Sequence, residues 1–118
     1  MHRLAMLLLI ASLALAGDLT GKWSGTFAPS DSSTPTGAYM DLKLSGRSVT
    51  GTAGPDETHQ KEISNGKLEG NKLTFEVAQD GRTLKFDLTF DGESIKGVAS
   101  AEKDGQRMSA KLDLKRRP

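Results

Sequence analysis

The sequence predicts an all-β protein: an eight-stranded antiparallel up-and-down meander closed into a small barrel. Three observations predict it. One short pattern occurs three times, as Leu44-Ser45-Gly46-Arg47-Ser48-Val49, Leu68-Glu69-Gly70-Asn71-Lys72-Leu73 and Phe90-Asp91-Gly92-Glu93-Ser94-Ile95. Each copy reads apolar, polar, Gly, any, polar, apolar. Glycine at the first central position supplies the φ > 0 of a type II′ hairpin turn, and the flanking apolar residues then oppose each other on one face. Between these turns apolar and polar residues alternate with period two. No segment after Ala16 carries a helical period.

The chain opens on Met1-His2-Arg3, runs apolar from Leu4 to Ala16, and ends that run on the small-x-small Ala14-Leu15-Ala16. A basic start, a short apolar stretch and such an ending read as a secretory signal peptide over residues 1–16. The domain expected to remain spans residues 17–118, near Gly17 onward. No cysteine follows the apolar run to take a lipid anchor, and the chain contains none at all. Disulfides, thiolate metal sites and cysteine catalysis are thereby excluded, and the fold must be held by sheet closure and apolar packing. Without Arg3, 15 basic residues balance 15 acidic ones. That balance argues against nucleic acid or an anionic membrane as a partner. Stable membrane insertion after removal of the leader is not expected. The expected location is the periplasm or the exterior.

The first strand is a weak signal, Lys22 to Ala28, with Trp23, Gly25 and Phe27 inward. The second carries Met40, Leu42 and Leu44 against Tyr39, Asp41 and Lys43. The third runs from Ser48 to Ala53. The fourth, Glu62 to Glu69, loses its alternation around Asn65-Gly66, which reads as a bulge or as a separate turn. The fifth, Lys72 to Val77, puts Leu73, Phe75 and Val77 on one face. The sixth, Thr83 to Phe90, does so with Leu84, Phe86, Leu88 and Phe90. The seventh, Ile95 to Ala101, places Val98 outward. The eighth, Arg107 to Lys115, aligns Met108, Ala110, Leu112 and Leu114.

In a meander, alternate connections lie at opposite ends. The three glycine hairpins therefore share one end. The other end carries the Asp80-Gly81 and Asp104-Gly105 turns, the Gly54 to Gln60 connection and the Pro/Ser-rich loop from Ala28 to Gly37. At the hairpin end the inward residues are all large, Trp23, Phe90 and Leu114 among them. At mid-height Gly25, Gly51, Gly97, Ala99 and Ala110 are small. Eight strands enclose a space that side chains can fill or that can hold one small ligand. The small residues mark either a cavity or places where glycine relieves strand coiling and the ring contracts.

At Thr20-Gly21-Lys22-Trp23 the chain resembles the lipocalins and the wider calycin group, which carry a Gly-x-Trp on the first barrel strand. The resemblance implies structural roles for Gly21 and Trp23, and a basic residue from the last strand packed over the indole. Arg116, at the same end as Trp23, is the candidate. The rest of the chain after the leader, above all Ile63-Ser64-Asn65-Gly66-Lys67-Leu68-Glu69-Gly70-Asn71-Lys72-Leu73-Thr74-Phe75, is similar to small exported bacterial β proteins of unsettled activity. The chain departs from typical lipocalins in being shorter, without a helix after the barrel and without a disulfide.

The residues form no evident catalytic or metal-binding constellation. One histidine follows the leader, His59, in the polar loop Asp56-Glu57-Thr58-His59-Gln60, with no second cluster to complete a metal site. Serines and threonines lie on outward faces and turns. Carboxylates alternate with lysines, as a wet sheet face requires. An interior nearly free of ionisable groups cannot supply acid–base catalysis. The expectation is an exported, non-enzymatic barrel with no cofactor and no metal, binding a small apolar ligand against Phe27, Met40, Phe75, Phe86 and Met108. The alternative is a filled barrel that acts on a protein partner, such as a hydrolase to be inhibited. Its epitope would be the Ala28 to Gly37 loop, with Tyr39 and Val98 outward on the sheet.

Overall fold

The computed structural model of the protein describes residues 18–30 and 34–117. The leader expected over residues 1–16 lies outside them. Nine strand segments follow in order: β1 (Gly21–Pro29), β2 (Thr36–Ser45), β3 (Ser48–Gly54), β4 (Lys61–Glu62), β5 (Ser64–Glu69), β6 (Lys72–Gln79), β7 (Arg82–Phe90), β8 (Ser94–Lys103) and β9 (Gln106–Arg116). Segments β4 and β5 are two pieces of one strand interrupted at Ile63. The meander is thus eight-stranded and antiparallel. It closes because β1 pairs with β9 as well as β2, and β2 pairs onward with β3.

The hairpins follow from the glycine pattern. Gly46 and Gly70 sit at φ +64° and +62° as first central residues of turns flanked by the pairs Ser45–Ser48 and Glu69–Lys72. The third hairpin opens a little wider. Asp91 accepts hydrogen bonds from the Ser94 amide and hydroxyl, both at 2.8 Å, and the Glu93 amide at 3.1 Å. These contacts satisfy buried Ser94 and hold the Asp91 carboxyl below its ordinary pKa, those to Ser94 contributing most. At the opposite end, Asp80-Gly81 and Asp104-Gly105 carry positive φ at both residues, the type I′ geometry. The connection between β8 and β9 is therefore a two-residue turn, shorter than the sequence suggests. Asn65, at φ +53°, lies within a register shift between Ser64 and Lys67, so the broken alternation there is a bulge.

The hairpin end is packed solid. Trp23, Leu73, Ile95 and Leu114 are fully buried, and Phe90 meets the Trp23 ring edge-on at 5.8 Å between centroids. Leu19, just before β1, adds a plug that alternation does not predict. It is fully buried, and its carbonyl accepts the Trp23 indole N–H at 3.0 Å. Arg116 closes this end from outside. Its guanidinium carbon lies 4.4 Å from the Trp23 ring centroid. Its nitrogens donate to the carbonyls of Asp18 (3.1 Å), Thr20 (3.2 Å) and Gly92 (3.1 Å). One rigid fork thus ties the chain before β1 to the β7–β8 hairpin. Replacing Arg116 by methionine should cost about 2 kcal/mol in urea unfolding, from lost charge-assisted hydrogen bonds. Lysine should recover less than half of that, because one ammonium cannot span three carbonyls over an indole; full recovery by lysine would contradict this account.

At mid-height the glycines bring backbones together. A Cβ on Gly25 would lie 1.9 Å from the Asp113 carbonyl oxygen, and one on Gly97 would lie 2.3 Å from that of Asp87. These residues let strands bend sharply against their neighbours. Of the two readings of the small residues, the contracted ring describes this level. Phe75 and Phe86, partners across β6 and β7, stack at 4.5 Å between centroids, and Leu42 and Leu88 are buried with them.

Candidate functional site

The loop end is different. Here the core gives way to a pocket of about 450 Å³, lined by Phe27, Ala38, Met40, Ala53, Val77, Leu84, Phe86 and Leu112. These come from β1, β2, β3, β6, β7 and β9, alternate residues on strands whose other faces are wet. The pocket therefore lies in the barrel interior at its loop end.

The 55–60 loop forms one wall of the mouth through Pro55, His59 and Gln60. It is braced rather than slack. The Asp56 carboxylate accepts the Thr58 amide at 2.9 Å, the Thr58 hydroxyl at 2.8 Å, the His59 amide at 3.0 Å and His59 Nδ1 at 2.8 Å. The Gln60 side-chain amide donates to the Asp56 carbonyl at 2.7 Å and the Tyr39 carbonyl at 3.1 Å, pinning the loop to β2. Among the described residues Gln60 Oε1 has no partner and is closed off from solvent, a cost of this anchoring.

The hydrogen bond from His59, followed by those from Thr58, pulls the Asp56 pKa down to about 2. An unfolded aspartate titrates near 3.9, at about pH 4. The folded carboxyl binds its proton less readily, so this bracing is complete above about pH 4 and is lost as the pH falls through about 2. A carboxyl-carbon NMR titration should give Asp56 a midpoint near 2. His59→Ala should move that midpoint up toward the ordinary value; an unchanged midpoint in the variant would contradict the assignment.

Of the residues expected to line a ligand site, Phe27, Met40 and Phe86 meet in this pocket. Phe75 is buried in the filled layer beneath, against Phe86, and does not face it. Met108 is 38 % exposed and stays outside the lining, its sulfur 3.9 Å from an Arg82 Nη1. It pairs with Ala101 on the last rungs of β8–β9, where the ladder has run past the pocket. Gly21, Trp23 and Arg116 gather at the closed end and do not line the pocket. Tyr39 is buried beneath Arg117, whose guanidinium carbon lies 5.6 Å from its ring centroid, and so offers no contact surface. Val98 is outward and 44 % exposed. The centre of the Ala28 to Gly37 loop, residues 31–33, lies outside the described residues. Its flanks are tied down, Ser30 donating its amide to the Ser109 carbonyl at 2.9 Å.

Sequence reasoning missed His59, Gln60 and Lys61 as pocket residues. A signal was available for Lys61, since it shares the face of Ile63 two residues on. Among the described lining residues, His59 and Lys61 are the ionisable ones, and both are exposed at the mouth. Among the described residues, no group of His, Asp and Glu is arranged to hold a metal ion.

The architecture and the site define a class, a small closed antiparallel barrel with one plugged end and one apolar cup, which at this coarse level is calycin-like. Comparison with protein-family models, curated proteins and solved structures returns no significant match.

Proposed function

We propose that the protein is an exported, non-enzymatic carrier or receptor for a small apolar molecule held in the loop-end pocket, a barrel of lipocalin type. The observation that carries this reading is the pocket itself. Its volume of about 450 Å³ falls within the range of about 300–1,000 Å³ usual for small-molecule sites, and its walls are aliphatic and aromatic. Burying apolar ligand surface contributes about 25 cal/mol per Å² before the costs of association, so a ligand of this size binds with moderate affinity.

The experiment uses the neutral dye N-phenyl-1-naphthylamine with protein stripped of bound lipid. A saturable 1:1 fluorescence rise is expected. Ala53→Phe projects a ring into the pocket and should abolish the rise while thermal unfolding remains cooperative. No rise with the wild-type protein, or an equal rise with Ala53→Phe, would refute the reading.

A further inference from the structure

The ladder beside the pocket is incomplete on one flank. The β5–β6 ladder pairs Ser64 with Glu76, and continuing it would pair Glu62 with Ala78 and Lys61 with Gln79. Those two rungs, and the Ile63–Val77 rung before them, are absent. Lys61 and Glu62 keep their ladder to Ala53 and Thr52 on the β3 side, as β5 does, while their edge toward β6 carries no ladder. The gap falls on the pocket wall, since Lys61 lines one lip and Val77 and Gln79 the other. Lys61 is the partner of inward-facing Ala53, which places it on the lumen side of its strand. Among the described residues it has no ion-pair partner. The Asp56 carboxylate of the 55–60 loop is already engaged by His59 and Thr58.

Resting on the carrier reading above, we infer that this slot seats the head of the ligand, and that the ligand is a single-chain amphiphile with an anionic head paired to Lys61. The tail occupies the apolar cup. The head stays at the gap, where unpaired strand edges, Gln79 and the Lys61 ammonium meet water. An apolar cup alone would favour a wholly apolar guest. A lone inward cation at a break in its wall favours a guest with one negative end.

The test compares laurate, dodecanol and dodecyltrimethylammonium, three ligands with the same tail, by displacement of N-phenyl-1-naphthylamine. Wild-type protein should bind laurate about fivefold tighter than dodecanol, the upper end of what one exposed ion pair supplies. Dodecyltrimethylammonium should bind weakest. Lys61→Met should level laurate with dodecanol, and Lys61→Glu should invert the order of the two charged ligands. Lys43→Glu, an outward change of equal charge on β2, should leave the order intact. Added salt should shrink the preference. Equal binding of laurate and dodecyltrimethylammonium, or an order unmoved by Lys61→Glu, overturns the seat at Lys61 while leaving the carrier reading intact. Failure of all three to displace the dye overturns the inference. Failure of the dye itself to bind overturns the carrier reading with it.

Discussion

Gly25→Val is expected to abolish cooperative folding. The Cβ it adds would stand 1.9 Å from the Asp113 carbonyl oxygen and 2.8 Å from the Leu114 Cα, both backbone atoms that cannot rotate away. Either β1 or β9 must withdraw, and this is a seam through which the barrel closes. Opening it would expose two strand edges and wet the core beneath them. Even alanine introduces the same first carbon, so Gly25→Ala should be nearly as damaging. The contrast is Gly46→Ala. A Cβ there meets nothing within 4 Å, and its cost is the backbone strain of a positive φ, about 1–2 kcal/mol. Circular dichroism with urea titration separates the two. Equal, modest destabilisation at both positions would show that the β1–β9 contact is soft and that Gly25 marks spare room.

Trp23→Ala is the second large effect. The indole is fully buried, meets Phe90 edge-on, donates to the Leu19 carbonyl and carries Arg116 on its face. Truncating a buried tryptophan costs about 4 kcal/mol, a large part of the roughly 5–15 kcal/mol available to a small domain. The melting temperature should fall by about 20 °C. Trp23→Phe keeps most of the volume and should lose much less. Because Trp23 does not line the pocket, although its register partner Met40 does, Trp23→Phe should leave dye affinity unchanged below its melting point. A loss of affinity there would mean that the plugged end and the cup are coupled.

Much of this fold is legible in the sequence because turn chemistry and side-chain alternation are local properties. Gly46 and Gly70 locate two hairpins, and Phe75 and Phe86 fall on facing rows once those hairpins set the register. Asn65-Gly66 marks a bulge because the alternation slips by one residue there. The shared end of Trp23 and Arg116 follows from strand count alone. Depth is harder to read. Period two tells which face Met108 occupies but not that the ladder has outrun the pocket at that point. A small residue such as Gly25 looks the same whether it leaves space or lets two backbones touch, and only the position of the neighbouring carbonyl decides. Leu19 lies before the first alternating residue, so no pattern announces it. Lys61 and Gln60 are hard to place because their loop reads as solvated, and because no local pattern shows that the ladder toward β6 stops at Ser64 while the ladder toward β3 resumes at Glu62.

The most direct measurement is methyl NMR of the protein titrated with laurate. The account predicts saturable shifts at Met40, Val77, Leu84 and Leu112, which surround the cup. It predicts none at Leu73, Ile95 and Leu114 in the plugged end or at Val98 on the outer face. Shifts centred on Val98, or none at the cup, would contradict a barrel that works through its interior.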